Sequence, residues 1–325
     1  AVSRAETGPG GLAMVGDGPR RITLVTETRY PQINGVSRIV DQLIKRLDEK
    51  EWAIQLLSPR YVPDNAYADN GIEKASFASF RFPLYPEIRL PMVTRGACLR
   101  RIKAFAPHVM HILTEGPLGL AALRTAKKLD LPVVTSYHTN FPSYMKHYRM
   151  QWAESICWGY LRWFHDRSAV TLAPTEEIVE LLSLKDFVDV RAWGHGVDTD
   201  QFHPDRRSLF FNDQTGVKPG ETVFLYVGRI APEKNIQTLI DAFHLIPEAE
   251  KVRLLIVGEG PYRRKIESLH DPRISLLGFQ DQELLSQIYA GSDLFVFPSL
   301  TDTFGLVVLE AMASGLPVAA FDVTG

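Results

Sequence analysis

The chain has 325 residues, 45% of them hydrophobic, with 36 Lys and Arg against 38 Asp and Glu for a net charge of −2. That is long enough for two domains, has no apolar run near the ~20 residues of a membrane span, and carries no charge excess that would draw it to nucleic acid. Cys98 and Cys157 lie far apart and form no CxxC, which reads as two reduced thiols in a cytoplasmic protein.

Residues 1–19 are Gly-rich, lack the apolar core of a signal peptide, and read as a flexible tail. Arg21–Glu27 is predicted to be a strand that runs through a loop bearing Asn34-Gly35 into a helix. Val40, Leu43, Ile44 and Leu47 form one apolar stripe on that helix. Strand, Gly-bearing loop and helix open a doubly wound domain, and ligands bind at such loops; Asn34-Gly35 reads equally as plain turn chemistry. Further apolar runs at Ala53–Ser58, Ala75–Phe82, Val109–Leu113, Val133–Tyr137 and Ala169–Ala173 alternate with helical patterns, giving βαβ units and a largely parallel sheet. His138 directly follows the fourth of these runs, at the carboxyl end of a strand, the edge where open α/β sheets keep their sites.

Tyr144–Asp166 mixes aromatics with bases, and Arg95, Arg100, Arg101 and Lys103 form a second basic group. Such segments are read as core packing with a solvated edge or as peripheral contact with an anionic membrane. The polar stretch 204–221, ending at Pro219-Gly220, suits a linker between a domain at 20–203 and another at 222–325.

Thr222–Val227 starts a second alternating series and leads into Gly228-Arg229 and Lys234, two cations ahead of a helix. They suit a diphosphate, Arg as a fork and Lys as a point charge; two exposed bases on a loop are the plainer alternative. Val252–Val257 and Ile274–Gly278 add strands, and helices are expected after Asn235, at 262–269 and at 282–290. Asp293–Pro298 then precedes a turn with Thr301, Asp302, Thr303 and Gly305 and a helix at Leu306–Ala313, closed by Ser314-Gly315. A Gly where a helix opens brings a ligand close to backbone N–H groups that suit phosphate. Asp302 and Glu310 are two carboxylates able to accept from paired sugar hydroxyls; Asp302 and Thr303 as mere helix caps are the alternative. A P-loop is absent, no GxGxxG follows either first strand, and neither HExxH nor a Cys/His cluster suggests zinc, so no metal or other cofactor is expected.

With Gly228-Arg229…Lys234 and Asp302-Thr-Phe-Gly…Glu310 in hand, helped by Asn34-Gly35-Val36, His138 and Gly196-Val197-Asp198, the chain resembles the family-four retaining glycosyltransferases of the GT-B fold. The likeness runs from about Arg21 to the end. Within the family it looks closest to bacterial enzymes that use GDP-mannose, and also to sulfoquinovosyl and glucosyl transferases acting on lipids. The resemblance implies an α/β architecture of two doubly wound, Rossmann-like domains facing a cleft. It implies Arg229 and Lys234 on the donor diphosphate, helped by backbone at Phe304, Gly305 and Leu306, with Gly35 near the phosphates from the other domain. It implies Glu310 on the ribose, Asp302 on the donor sugar and His138 near the reacting carbon. The implied partners are a nucleotide-sugar donor, GDP-mannose first and a UDP-hexose second, and a lipid or glycan acceptor, at the inner face of a membrane or in the cytoplasm.

Three features depart from the family pattern. The carboxylate pair is usually Glu and Glu, whereas the first here is Asp302; His195 stands where Asn or Arg is common; and the sequence stops at Gly325, which is read as a fragment with an incomplete second domain. Two rival readings share the architecture: a nucleotide-sugar 2-epimerase, and a catalytically silent sugar-nucleotide-binding protein.

Overall fold

The computed structural model describes residues 18–32, 34–48, 50–61, 71–82, 85–142, 151–208 and 211–322. Most of the expected tail, residues 143–150 of the aromatic-basic stretch and the last three residues lie outside the described residues. By compactness the chain divides into two units, residues 1–136 with 163–171, and residues 137–162 with 172–325.

The first sheet is built from β1 (Arg20–Val25), β2 (Trp52–Pro59), β3 (Glu73–Phe77), β6 (Val109–Ile112), β7 (Val133–Ser136), β8 (Val170–Ala173) and β9 (Val190–Ala192), in the order β3-β2-β1-β6-β7-β8-β9. Between β3 and β6 a separate two-stranded ribbon pairs β4 (Ser79–Phe82) antiparallel with β5 (Tyr85–Pro91). Pairing from β3 through to β7 is parallel, as alternating strands and helices require. Leu24 and Val25 of β1 and Leu56 and Leu57 of β2 are neighbours on opposite faces and all buried, so these strands are apolar on both faces there, while Met110 and Ile112 share one buried face of β6. One expectation fails here: the run Ala75–Phe82 is not a single strand. The chain leaves the parallel sheet at Ala78, whose carbonyl accepts from the Met92 N–H at 2.7 Å. A short run with apolar residues throughout, interrupted only by Ser76, Ser79 and Arg81, carries no mark of such a change of partner.

Asn34-Gly35 resolves as a helix start. The Asn34 side chain accepts from the Ser37 N–H at 2.9 Å while the Asn34 N–H donates to Ser37 Oγ, also at 2.9 Å, a reciprocal cap on helix Gly35–Arg46. The side-chain amide of Asn34 also donates to Thr28 Oγ1 at 2.6 Å, tying the cap to the loop after β1.

That loop also carries Glu27, which is buried in the first unit beside the start of helix Pro117–Leu129. Its Oε1 accepts from the N–H groups of Leu118 at 2.7 Å and Gly119 at 3.0 Å, and its Oε2 meets the Thr114 hydroxyl. Gly116 makes room, since a Cβ there would meet Glu27 Cδ at 2.8 Å. Burial outweighs these hydrogen bonds and pushes the Glu27 carboxyl up to about 7. The folded protein therefore holds this proton more tightly than the unfolded chain, and stability falls as pH rises from about 4.5 to about 7. At roughly 1.36 kcal/mol per pH unit, that window carries at most about 3 kcal/mol. Glu27→Gln mimics the protonated acid, its amide donating to Thr114, so its stability relative to wild type should rise across this window. Melting both proteins at pH 4.5 and 7.5 checks this; a difference that does not change with pH would refute it.

The second sheet consists of β10 (Thr222–Val227), β11 (Val252–Val257), β12 (Ile274–Gly278), β13 (Leu294–Phe297) and β14 (Val318–Ala320), all parallel, in the order β12-β11-β10-β13-β14. The chain steps outward from β10 to β12 and then returns to the other side of β10. The order thus reverses between β10 and β13, and their carboxyl ends form the switch point at which open α/β sheets bind ligands. The polar stretch 204–221 contributes to this unit's core: Phe211 and Val217 are buried with Leu225, Ile288 and Phe295. Phe211 fits because residue 291 is glycine; a Cβ there would lie 2.4 Å from its ring.

Candidate donor-binding site

Two loops leave the carboxyl ends of β10 and β13 and are laced together. The first, Gly228–Asn235, turns through a short 3₁₀ segment, Pro232–Lys234, and passes through Asn235 in the left-handed region (φ 53°) into helix Ile236–His244. The second, Pro298–Gly305, ends at Gly305 in the left-handed region (φ 68°), from which helix Leu306–Ala313 begins. Asn235 Nδ2 donates to the Pro298 carbonyl at 3.1 Å, and Thr301 Oγ1 donates to the Glu233 carbonyl at 3.0 Å. Lys234 Nζ forms an ion pair with Asp302 Oδ1. Lys234 and Asp302 are 17% and 23% exposed, so this contact is far less screened than a surface pair.

Arg229 reaches Glu233 at 3.3 Å, and Glu233 is itself buried. The two cations expected on phosphate thus each lean on a carboxylate, which fixes their side chains before any ligand arrives. Asp302 Oδ2 is buried and has no hydrogen-bond partner among the described residues. No side chain caps helix Leu306–Ala313, so Leu306 and Val307 present N–H groups at its positive end. Phe304 and Gly305 shape the approach to them.

A third loop supports the first. Gly228 N–H donates to the Val257 carbonyl at 3.0 Å, Ile230 N–H to the Glu259 carbonyl at 2.9 Å, and Tyr262 N–H to the Ile230 carbonyl at 3.0 Å. Backbone lies against backbone, which is why 258 and 260 are glycine: a Cβ would meet Gly228 O at 2.0 Å and Ile230 O at 2.3 Å respectively. Beneath the loop Tyr226 donates to the Arg229 carbonyl at 2.7 Å, and burial raises its phenol well above the ordinary range.

Glu310, on the helix, is buried, and its Oε2 accepts from Tyr289 at 3.1 Å. His138 belongs to the second unit and meets the same region: its carbonyl accepts from Thr303 Oγ1 at 2.7 Å. The imidazoles of His138 and His195 stand 5.4 Å apart, and His195 packs edge-on to Phe304 at 5.0 Å. Asp302, Arg229, Lys234, Phe304, Gly305, Leu306, Glu310 and His138 therefore all fall in one unit. Gly35 lies in the first unit, as the first residue of its helix, with nothing within 4 Å of a Cβ built on it. Sequence reasoning missed Glu233 and Tyr289. Glu233 is legible as the i+4 partner of Arg229; Tyr289 sits 21 residues before Glu310 and leaves no local trace.

Comparison with known proteins bears on the family and the fold. A family model described as Glycosyltransferase Family 4 matches residues 33–201, and one described as Glycosyl transferases group 1 matches residues 221–325. The sulfoquinovosyl transferase SQD2 of Arabidopsis thaliana is 33% identical over 93% of this chain, which spans 59% of that protein. A GDP-mannose-dependent alpha-mannosyltransferase of Mycobacterium tuberculosis is 31% identical over 94% of this chain and 80% of its own length. Among solved structures, a sucrose-phosphate synthase of Thermosynechococcus elongatus superposes with a TM-score of 0.73 at 21% identity, over 94% of this chain and 82% of that one. The fold is GT-B, with two Rossmann-like parallel sheets, and the chain belongs to glycosyltransferase family 4.

Proposed function

We propose that the protein is a retaining, metal-independent hexosyltransferase that moves mannose from GDP-mannose to a lipid-linked or glycan acceptor, with residues 222–325 on the donor side and 20–203 on the acceptor side. The observation that carries the donor site is the meeting of Arg229, Lys234, Asp302 and an uncapped helix start at the β10–β13 switch point. Breaking a sugar–phosphate bond places negative charge on the leaving diphosphate. Arg229, Lys234 and the N–H groups of Leu306 and Val307 stabilise it there, pre-oriented by the contacts described above. Asp302 Oδ2 accepts from the sugar, Glu310 from the ribose, and His138 stands near the reacting carbon.

The 31% identity to a GDP-mannose-dependent enzyme supports the mannosyl donor; the 33% identity to a sulfoquinovosyl transferase keeps transfer of another hexose, for which UDP-glucose is the probe, as the second reading. An acceptor in a lipid surface would make the protein a peripheral membrane enzyme acting from the cytoplasm. Among the described residues no helix is long and apolar enough to cross a membrane. Screening labelled GDP-mannose and UDP-glucose for hydrolysis and transfer, with and without EDTA, tests the reading. Turnover of GDP-mannose that survives EDTA is expected. Loss of turnover in EDTA with rescue by manganese would overturn metal independence, and turnover of UDP-glucose alone would overturn the donor.

A further inference from the structure

We infer that His195 recognises a hydroxyl of the transferred sugar and so helps determine which hexose is accepted; this rests on the donor-binding reading above. Three rings hold the imidazole. Trp193 and Phe304 meet it edge-on at 5.0 Å each, and His138 lies at 5.4 Å. All four residues belong to the second unit. Packing on these sides fixes the ring plane and keeps water off it. The result is a buried Nε2 with no hydrogen-bond partner among the described residues.

A buried polar atom left unmatched costs about what a lost hydrogen bond costs, and folded proteins carry few of them. Here three meet at one loop: Ser299 Oγ and Asp302 Oδ2 lie on it, and His195 Nε2 belongs to the ring covered by Phe304, two residues after Asp302. Asp302 and His195 differ in chemistry in a way that selects the ligand. Asp302 is an acceptor paired with a lysine. Burial pushes the His195 pKa down to about 4, so the imidazole is neutral at physiological pH. A neutral imidazole nitrogen adds no charge for a diphosphate, which Arg229 and Lys234 already serve. It matches a hydroxyl, which both donates and accepts. A polyol presented to this loop satisfies the carboxylate oxygen and the imidazole nitrogen together, and a hexose attached to a diphosphate held by Arg229 and Lys234 is such a polyol.

The inference separates sugar contacts from phosphate contacts, and so does its test. Affinities for GDP-mannose and for GDP are measured by calorimetry on wild type, His195→Phe and His195→Gln, alongside melting curves. Phe preserves the ring packing and removes the nitrogen; Leu replaces it if Phe does not fold. The expected result is GDP-mannose bound about 3–10-fold more weakly by His195→Phe, the span of one ordinary hydrogen bond. GDP binding should stay within about twofold, and Gln should recover part of the loss. Unchanged GDP-mannose affinity would overturn the inference. Equal losses for GDP-mannose and GDP would also overturn it, since they would mean that the ring only packs the loop. If wild type binds UDP-glucose and not GDP-mannose, the same comparison is run with UDP-glucose and UDP. Wild type that binds neither pair would remove the donor-binding reading itself, an outcome distinct from a silent His195.

Discussion

Alanine at Gly258 is expected to destabilise the second unit by about 2–5 kcal/mol, combining the costs of a strained backbone position and of overpacking. The added Cβ would stand 2.0 Å from the carbonyl oxygen of Gly228, at a φ of +134° that side chains rarely adopt. The obstacle is backbone and cannot rotate aside. Relief requires the Gly228–Asn235 loop to lift from β11, which breaks the Gly228 N–H to Val257 hydrogen bond and moves Arg229 with it. Gly258→Ala should therefore lower the melting temperature and weaken donor binding together. Gly35→Ala is the control: its Cβ meets nothing within 4 Å and it occupies the first turn of a helix, so stability should be unchanged or slightly improved. Equal melting of Gly258→Ala and wild type would mean that the two loops do not lie backbone to backbone.

The contrast between these glycines shows what a sequence can display. Val252–Val257 reads as a strand with no sign of what lies against the glycines after it, and the alternation of strands with helices gave the parallel sheets and their approximate bounds. What a one-dimensional pattern lacks is the partner across space. The run Ala75–Phe82 was expected as one element because apolar residues recur along its whole length, yet Ala78 is where pairing passes from a parallel sheet to an antiparallel ribbon. Stretch 204–221 is polar on average, which hides the buried Phe211 in the notch left by Gly291. The cations of the site were legible as residue types after a strand. That Lys234 pairs with Asp302, 68 residues away, was not, because such a pair depends on strand order, and the order reverses between β10 and β13. Glu27 was legible only as the end of a strand, and its raised pKa arises from burial beside a helix that starts 90 residues later.

Lys234→Ala should weaken donor binding by about 1.5–3 kcal/mol, the worth of a hydrogen bond to a charged group, and should also destabilise the protein. The two effects have different origins and can be separated. Lys234 neutralises Asp302, whose second oxygen is already buried without a partner. Removing the ammonium leaves a largely desolvated carboxylate with no counter-ion from this pair. A fully buried pair broken this way costs about 3–5 kcal/mol; with both side chains about one-fifth exposed, about 1–3 kcal/mol is expected after discounting for solvent screening. Changing Asp302 to Asn in the same protein removes the stranded charge, so the double variant should regain most of the lost stability. It should not regain donor affinity, because the cation that meets the diphosphate is still missing. Arg229→Ala provides the parallel case, since it strips a cation from buried Glu233 as well as from the phosphates. Calorimetry with GDP-mannose and GDP measures the affinity arm, and it should report the same loss for both ligands, unlike the change expected at His195. Thermal melts measure the stability arm. Unchanged donor affinity in both single variants would remove the diphosphate assignment. A double variant no more stable than Lys234→Ala would mean instead that the lysine stabilises the loop by packing its alkyl chain and not by holding the Asp302 charge.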